Sequence, residues 1–221
     1  MFQITPNMSE LIGYIIGDGN IYDKKPYYVE ITGHPKYDFA YFKLHLSEII
    51  QTELHYTPRI FFHSNGIRLR INKKIFVEWL KNIGMPAGKG KFERVTIPEI
   101  VLRDSLDCIK SCLRGIFDSD GCFHFDKRKV YKNPYIRVEL HMLNIVLLHQ
   151  IKNQLKLSGV LATISEKKKA LYINGYQEVK KFLIEIGSSN SRHLNRIKRI
   201  YPELPNFNCA SVAQLVERLI I

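Results

Sequence analysis

Two aspartates, Asp18 and Asp120, each stand before a glycine at the end of an apolar stretch that contains a further small residue, LIGYIIGDG at 11–19 and LRGIFDSDG at 113–121. Leu11 answers Leu113, Gly13 answers Gly115, Ile15 answers Phe117 and Gly19 answers Gly121, each pair 102 residues apart. Two carboxylates brought together raise each other's pKa unless a cation holds them. Oxygen ligands suit a hard ion, and Mg2+ (or Mn2+) is the usual choice where phosphate is the substrate. The chemistry expected is metal-assisted hydrolysis of a phosphodiester. One Asp-Gly step is an ordinary helix exit. Two, at matched places beside matched small residues, argue for a site.

Gly13 and Gly17 are four apart and so share one helical face, and Gly115 and Ser119 occupy the matching face of the second copy. An isolated helical Gly costs roughly 1 kcal/mol against Ala, so its repetition needs a reason. Small residues let two helix backbones approach closely. The two helices are therefore expected to cross at the seam between halves, with Asp18 and Asp120 meeting at its base. Thr5-Pro6 opens the first helix, Asp104 or Ser105 caps the second, and both are expected to end in a left-handed glycine.

The likeness continues downstream, where GIRLRINKKIFVEWLKNIG (66–84) resembles KALYINGYQEVKKFLIEIG (169–187). The chain reads as one unit written twice, each helix, two strands, helix, two strands, helix. PYYVEIT (26–32) and NPYIRVELHM (133–142) have strand composition, RIFFHSNGIRLRIN (59–72) reads as a hairpin turning at Asn65-Gly66, and 160–174 as one turning through Lys167–Lys169. Residues 41–54 and 145–157 carry helical periodicity. Met85–Arg103 has linker composition, which divides the chain into a first unit at 1–100 and a second at 101–221, with 206–221 outside the repeat.

The 221 residues include 33 Lys and Arg against 21 Asp and Glu, a formal charge of +12. Such an imbalance suits a surface that sits on a polyanion. A hydrophobic fraction of 45% excludes a disordered tail. No signal peptide or spanning segment is legible, so the expected setting is soluble and intracellular, the cytoplasm of a prokaryote or an organelle, with no membrane partner. Cys108, Cys112, Cys122 and His124 could frame a zinc site but read better as buried thiols.

The pair of motifs resembles the LAGLIDADG motif of homing endonucleases, and two copies in one chain resemble the monomeric members. The resemblance covers about residues 5–205. It implies an α+β fold of two pseudo-symmetric αββαββα units, whose antiparallel sheets form a saddle over double-stranded DNA with the motif helices at the interface. It further implies a monomer that cuts both strands across the minor groove, leaving 3′ overhangs at a long, partly asymmetric target, as in intron homing. By the same likeness Asp18 and Asp120 bind the catalytic metals, and the carbonyls of Gly17 and Ser119 are further ligands. Ile16 stands where the family's sixth residue is often acidic, a place Asp118 fills in the second copy. Many relatives lie within inteins, but the His-Asn ending of a self-splicing element is not found here, so a free-standing or intron-encoded enzyme is expected.

Family sites also use a basic residue near the scissile phosphate. Lys91, in KGKFERVTIP, and Lys198, in NRIKRIYPELP, are the candidates, with Lys89, Arg94, Arg196 and Arg199 nearby. A cation there stabilises transition-state charge or polarises the attacking water. DNA-facing strand residues should alternate with apolar ones. Arg59, Arg68, Arg70, Arg137, Glu139 and His141 do so, and Lys127, Arg128, Lys129 and Lys132 form a basic connection. Two rival readings use the same scaffold: an RNA maturase assisting intron splicing, with RNA as partner, and a non-catalytic DNA-binding regulator. The second has no need of both acids.

Overall fold

A computed structural model of the chain describes residues 2–126, 128 and 134–204. The first helix, α1 (Pro6–Asp18), begins as its sequence dictates, with Pro6 in the first turn and the Thr5 hydroxyl accepting from the Met8 N–H at 3.0 Å. Every residue from Met8 to Ile16 is buried, so this helix is wrapped on all sides rather than amphipathic. It runs into β1 (Gly19–Tyr22), which pairs with β2 (Tyr28–Gly33). The helical stretch that follows opens in wide turns over Tyr41–Leu46, where the Ser47 N–H and hydroxyl both bond back to the Phe42 carbonyl, and tightens into α2 (Ser47–Leu54). β3 (Arg59–His63) and β4 (Gly66–Ile71) form the hairpin, and α3 (Lys74–Asn82) closes the unit.

The second unit repeats the order. The helix α6 (Leu106–Asp120) is capped by the Ser105 hydroxyl, which accepts from the Cys108 N–H at 3.3 Å. It leads into β5 (Gly121–Asp126) and β6 (Tyr135–His141), then α7 (Ile145–Leu157), β7 (Thr163–Ser165), β8 (Ala170–Asn174), α8 (Tyr176–Glu185) and α9 (Ser191–Lys198). The sheets are both four-stranded and antiparallel, in the orders β1-β2-β4-β3 and β5-β6-β8-β7. Registers match as well: Gly19 faces Ile31, and Gly121 faces Leu140. Alternation in GIRLRI buries Ile67, Leu69 and Ile71 and leaves Arg68 and Arg70 on the open face.

α1 and α6 pack by backbone contact. A Cβ added at Gly13 would fall on the Cys112 carbonyl, and one at Gly115 on the Glu10 carbonyl. Buried ions flank this seam. Glu10 bonds His45 at 2.6 Å within its own unit and Arg114 of the other at 3.0 Å. His45 and Arg114 keep the Glu10 carboxylate below the usual range although burial pushes it up. Asp38 accepts from Asn190 at 3.1 Å and pairs with Arg192 at 3.2 Å, again across the seam.

Two local expectations are corrected. Gly19 and Gly121 are extended, at φ −82° and −84°, not left-handed. Their reason is room: a Cβ would strike Ile15 in one and the Phe117 ring in the other. The first hairpin turns through Ser64-Asn65, with Ser64 left-handed at φ 52° and Gly66 already paired with His63. The linker stretch, 85–103, has structure of its own. It contains the single turns α4 (Lys91–Arg94) and α5 (Glu99–Leu102), and docks on the second unit through Asn144 to the Val95 carbonyl at 2.8 Å and the Ile97 N–H to Gln150 at 3.0 Å.

Candidate active centre and nucleic-acid face

Asp18 and Asp120 close the two buried helices and meet at the seam. Gly17 lies so near the partner helix that a Cβ there would fall on the Ser119 hydroxyl and the Asp120 carboxylate. Burial, then the charges of Asp120 and Asp38, push the Asp18 carboxyl up to about 7. Asp120 keeps an open face to solvent, yet the protein around it also raises its carboxyl, with Lys91 and the Ser119 hydroxyl pulling it back. Two acids that resist ionising side by side gain from a shared cation. Among the described residues no three His, Cys, Asp or Glu side chains gather as a metal group. A cation here would rest on two carboxylates, main-chain oxygens and water, a set suited to Mg2+, which keeps much of its water. The Gly17 carbonyl accepts from Lys91 at 3.0 Å.

Lys91 is 2% exposed, carried on α4 to the C-terminal end of α1. Its ammonium lies 2.8 Å from the Ile15 carbonyl, 2.9 Å from Ile16 and 2.5 Å from Gly19 as well. An ammonium has three N–H groups, so these acceptors share them. The cation thus caps carbonyls that a helix end leaves unpaired and sits at the negative end of the helix dipole. Burial lowers its pKa to about 8, against the pull of Asp120 and Asp18.

Lys198 is exposed at the end of α9. The place that Lys91 holds is taken in the second unit by His193, five residues earlier, which bonds the Asp118 carbonyl near the end of α6 and packs 4.9 Å from the Phe117 ring. Burial and Arg192 hold His193 down to about 3, so it is neutral. Sequence reading missed this residue, although His193 follows Lys91 at the motif spacing. Asp118 is fully buried. Its carboxylate accepts from the Ser188 hydroxyl and from the Ser189 N–H at 2.7 Å, with the Tyr41 hydroxyl at 3.5 Å. It faces away from the paired acids' role and serves the seam.

The open faces of the sheets carry the strand residues. In the first, Arg70 donates side-on to Glu30, from Nε at 2.9 Å and Nη2 at 2.5 Å, while Arg68 reaches the other Glu30 oxygen at 3.2 Å and Thr32 at 2.7 Å. Arg59 is exposed beside them. In the second, Arg137 Nε donates to Glu139, and His141 and His124 lie 3.4 and 3.8 Å from that carboxylate. Burial pushes Glu139 up, but the bonds from Arg137 and His141 prevail and keep it below the usual range. Glu30 was not among the sequence candidates; the alternation of PYYVEIT and its register opposite Arg70 mark it. Arg128 bonds Asp126 at 2.8 Å. Lys127, Lys129 and Lys132 lie outside the described residues, as does 206–221. Cys108 and Cys112 are buried and Cys122 is half-buried. No helix among the described residues is long and apolar enough to cross a membrane.

Residues 107–187 match the LAGLIDADG-like domain family. The whole chain has the two-unit LAGLIDADG fold: it superposes on the homing endonuclease I-WcaI bound to its DNA recognition sequence with a TM-score of 0.60, at 17% identity over 90% of this chain and 88% of that one. I-DmoI in complex with DNA and Mn gives 0.55, at 20% identity over 84% and 98%. The N-terminal LAGLIDADG domain of DUF199/WhiA gives 0.55, at 20% identity over 88% and 86%. Two curated proteins of Methanocaldococcus jannaschii are each 26% identical to the chain. One is glutamine–fructose-6-phosphate aminotransferase [isomerizing], over 178 residues, and the other reverse gyrase, over 170 residues. The matches take in 75% and 76% of the chain but only 14% and 9% of those proteins. In this fold α1 and α6 are the two helices that cross at the seam, and Asp18 and Asp120 are their last residues.

Proposed function

We propose that the chain is a sequence-specific DNA endonuclease that makes double-strand breaks at a long, partly asymmetric target, leaving 3′ overhangs, and that it works as a single-chain pseudo-dimer in intron homing. The observation that carries this reading is the meeting of Asp18 and Asp120 at the seam between two like units, whose four-stranded sheets carry arginines on their open faces. One acid per unit matches one acid per DNA strand. Asp18, Asp120 and the Ser119 carbonyl would hold the divalent cation, which when bound supplies a Lewis acid for the phosphate and a more acidic water. Lys91 adds a fixed positive charge beside both acids, where negative charge grows on the phosphate as water attacks and the bond to the 3′ oxygen breaks. The relatives solved with DNA, one of them with Mn, support DNA and a divalent metal as the partners. The likeness to the DUF199/WhiA domain leaves room for the alternative, a non-catalytic protein on this scaffold, and loss of cleavage on acid substitution separates the two.

Selection on randomised duplexes in Mg2+ supplies the substrate. Asp18→Asn and Asp120→Asn should then each retain binding, measured in Ca2+, and lose double-strand cleavage in Mg2+ and Mn2+. If both variants cut at the wild-type rate, the catalytic assignment fails. If the wild-type chain binds a defined duplex and never cuts it, the regulator reading replaces this one. A two-to-one protein-to-DNA complex in sedimentation would remove the single-chain claim.

A further inference from the structure

The two sheets repeat one polar arrangement that the catalytic centre does not use. Glu30 and Glu139 occupy equivalent places: Glu30 is paired with Asn20 and Arg70 across the strands, and Glu139 with Cys122 and Tyr172. Each is largely covered, with side chains only 9% and 12% exposed, and each fixes a more open arginine, Arg70 at 33% and Arg137 at 34%. Each arginine also lies over an aromatic ring. Arg70 is 4.3 Å from the Tyr28 ring centre and 5.0 Å from Phe61, and Arg137 is 5.4 Å from Tyr172. Beside Arg70 a hollow of about 250 Å³, lined by Arg59, Phe61 and Arg70, opens on the sheet face.

A carboxylate and a ring on one arginine remove most of its freedom. Arg70 spends Nε and one Nη2 hydrogen on Glu30, which leaves Nη1 and the second Nη2 hydrogen as a two-donor edge pointing away from the acid. That edge matches the O6 and N7 acceptors of guanine in the major groove, where a bidentate arginine is the commonest specific contact. An unbraced arginine would slide to the nearest phosphate, since phosphates take most protein hydrogen bonds and carry no sequence information. A carboxylate also repels phosphate, so its presence on a DNA-facing sheet favours base reading over backbone gripping.

Resting on the reading of the chain as a DNA endonuclease, we infer that Glu30 and Glu139 are positioning residues that brace Arg70 and Arg137, each to read one guanine in its own half of the target. The two braces are built differently. Glu30 is reached across strands and bound side-on, whereas Glu139 is met by Arg137 from its own strand and is also approached by two histidines.

The test is enrichment of randomised duplexes in Ca2+, followed by sequencing, for the wild-type chain, Glu30→Gln, Glu139→Gln and Arg70→Gln. The wild-type profile should hold a required guanine in each half. Glu30→Gln should lower the guanine preference about tenfold at the one position that Arg70→Gln also abolishes, and Glu139→Gln should do so in the other half. Affinity for random duplex should rise about twofold in both Glu variants, because a negative charge leaves the face. A merely structural role would lower thermal stability without a position-specific loss. Should Glu30→Gln fail to fold, Glu30→Asp keeps the charge, withdraws the anchor by one methylene and should show the same local loss. Profiles that match the wild type at every position, or a loss spread evenly over the target, overturn the inference. A wild-type chain that enriches no duplex overturns the DNA-binding reading, and this inference with it.

Discussion

Lys91 and His193 hold the same place in the two units, and only Lys91 carries a charge at neutral pH. The ammonium satisfies the terminal carbonyls of α1, whereas the imidazole bonds one carbonyl of α6, meets Arg192 Nη2 at 3.3 Å through Nε2 and packs among phenyl rings. The two halves of the centre are therefore alike in their acids and unlike in their cations. Lys91→Met should destabilise the fold by about 2 kcal/mol, the worth of charged hydrogen bonds lost at a helix end. It should also slow cleavage of one strand at least about tenfold more than the other, so that nicked plasmid accumulates. His193→Phe should leave the strand rates balanced. End-labelling each strand in turn measures both, and equal slowing by Lys91→Met would count against a one-sided role.

Gly13 and Gly17 lie one turn apart but meet different things. A methyl at Gly13 strikes main chain, the Cys112 carbonyl, which cannot swing aside. Gly13→Ala should therefore lower unfolding stability by about 3 kcal/mol. A methyl at Gly17 strikes the side chains of Ser119 and Asp120. Gly17→Ala should fold with little loss, bind DNA and cut poorly, because one acid has been pushed out of place. Denaturation curves and cleavage rates for the pair separate packing from chemistry; equal stability losses would contradict it.

Asp118 offers a test by pH. Burial, then Glu10, push its carboxyl from 3.8 up to about 7. The folded chain thus holds a proton that the unfolded chain releases between about pH 4 and 7, so this group's contribution falls as pH rises through that window. Asp118→Asn removes the titration. Between pH 5 and 8 the variant should lose less stability than the wild type, by on the order of 2 kcal/mol, in urea unfolding without divalent ions. Asp18 and Asp120 titrate in both proteins and cancel in the difference. Parallel profiles would show that Asp118 ionises freely.

DNA affinity should fall steeply with salt. The chain carries a formal charge of +12, and each neutralised phosphate contributes about −0.9 to the slope of log affinity against log salt. Titration of a fixed duplex from low to physiological ionic strength gives the slope. A flat response would remove the sheets from the interface.

How far the sequence reached depended on whether a feature repeats. The paired acids and the close helices were legible because each motif residue has a partner 102 residues on, and the doubled order of elements because the downstream match runs at nearly the same offset. Where the copies differ, the reading failed. Lys198 drew notice as a basic residue before a proline, while His193, at the proper spacing, did not look like a counterpart to a lysine. Glu30 escapes a reading of the sequence because a glutamate on a basic face has no evident partner until the register sets Arg70 beside it. Gly19 and Gly121 were assigned left-handed conformations from local preference, but crowding by Ile15 and Phe117 is tertiary and has no local mark.

The main-chain contact between α1 and α6 has a consequence for how such a chain can change. Contacts made by carbonyls against glycine owe nothing to side-chain identity elsewhere, so substitutions on the open strands leave the joint untouched. Each half can drift toward a new set of bases while the joint keeps both acids in register. Halves taken from different two-copy chains should then be interchangeable wherever their small residues align and the seam pairs Glu10 with Arg114 and Asp38 with Arg192 are kept, and the joint acts as a standard coupling between independently varied readers.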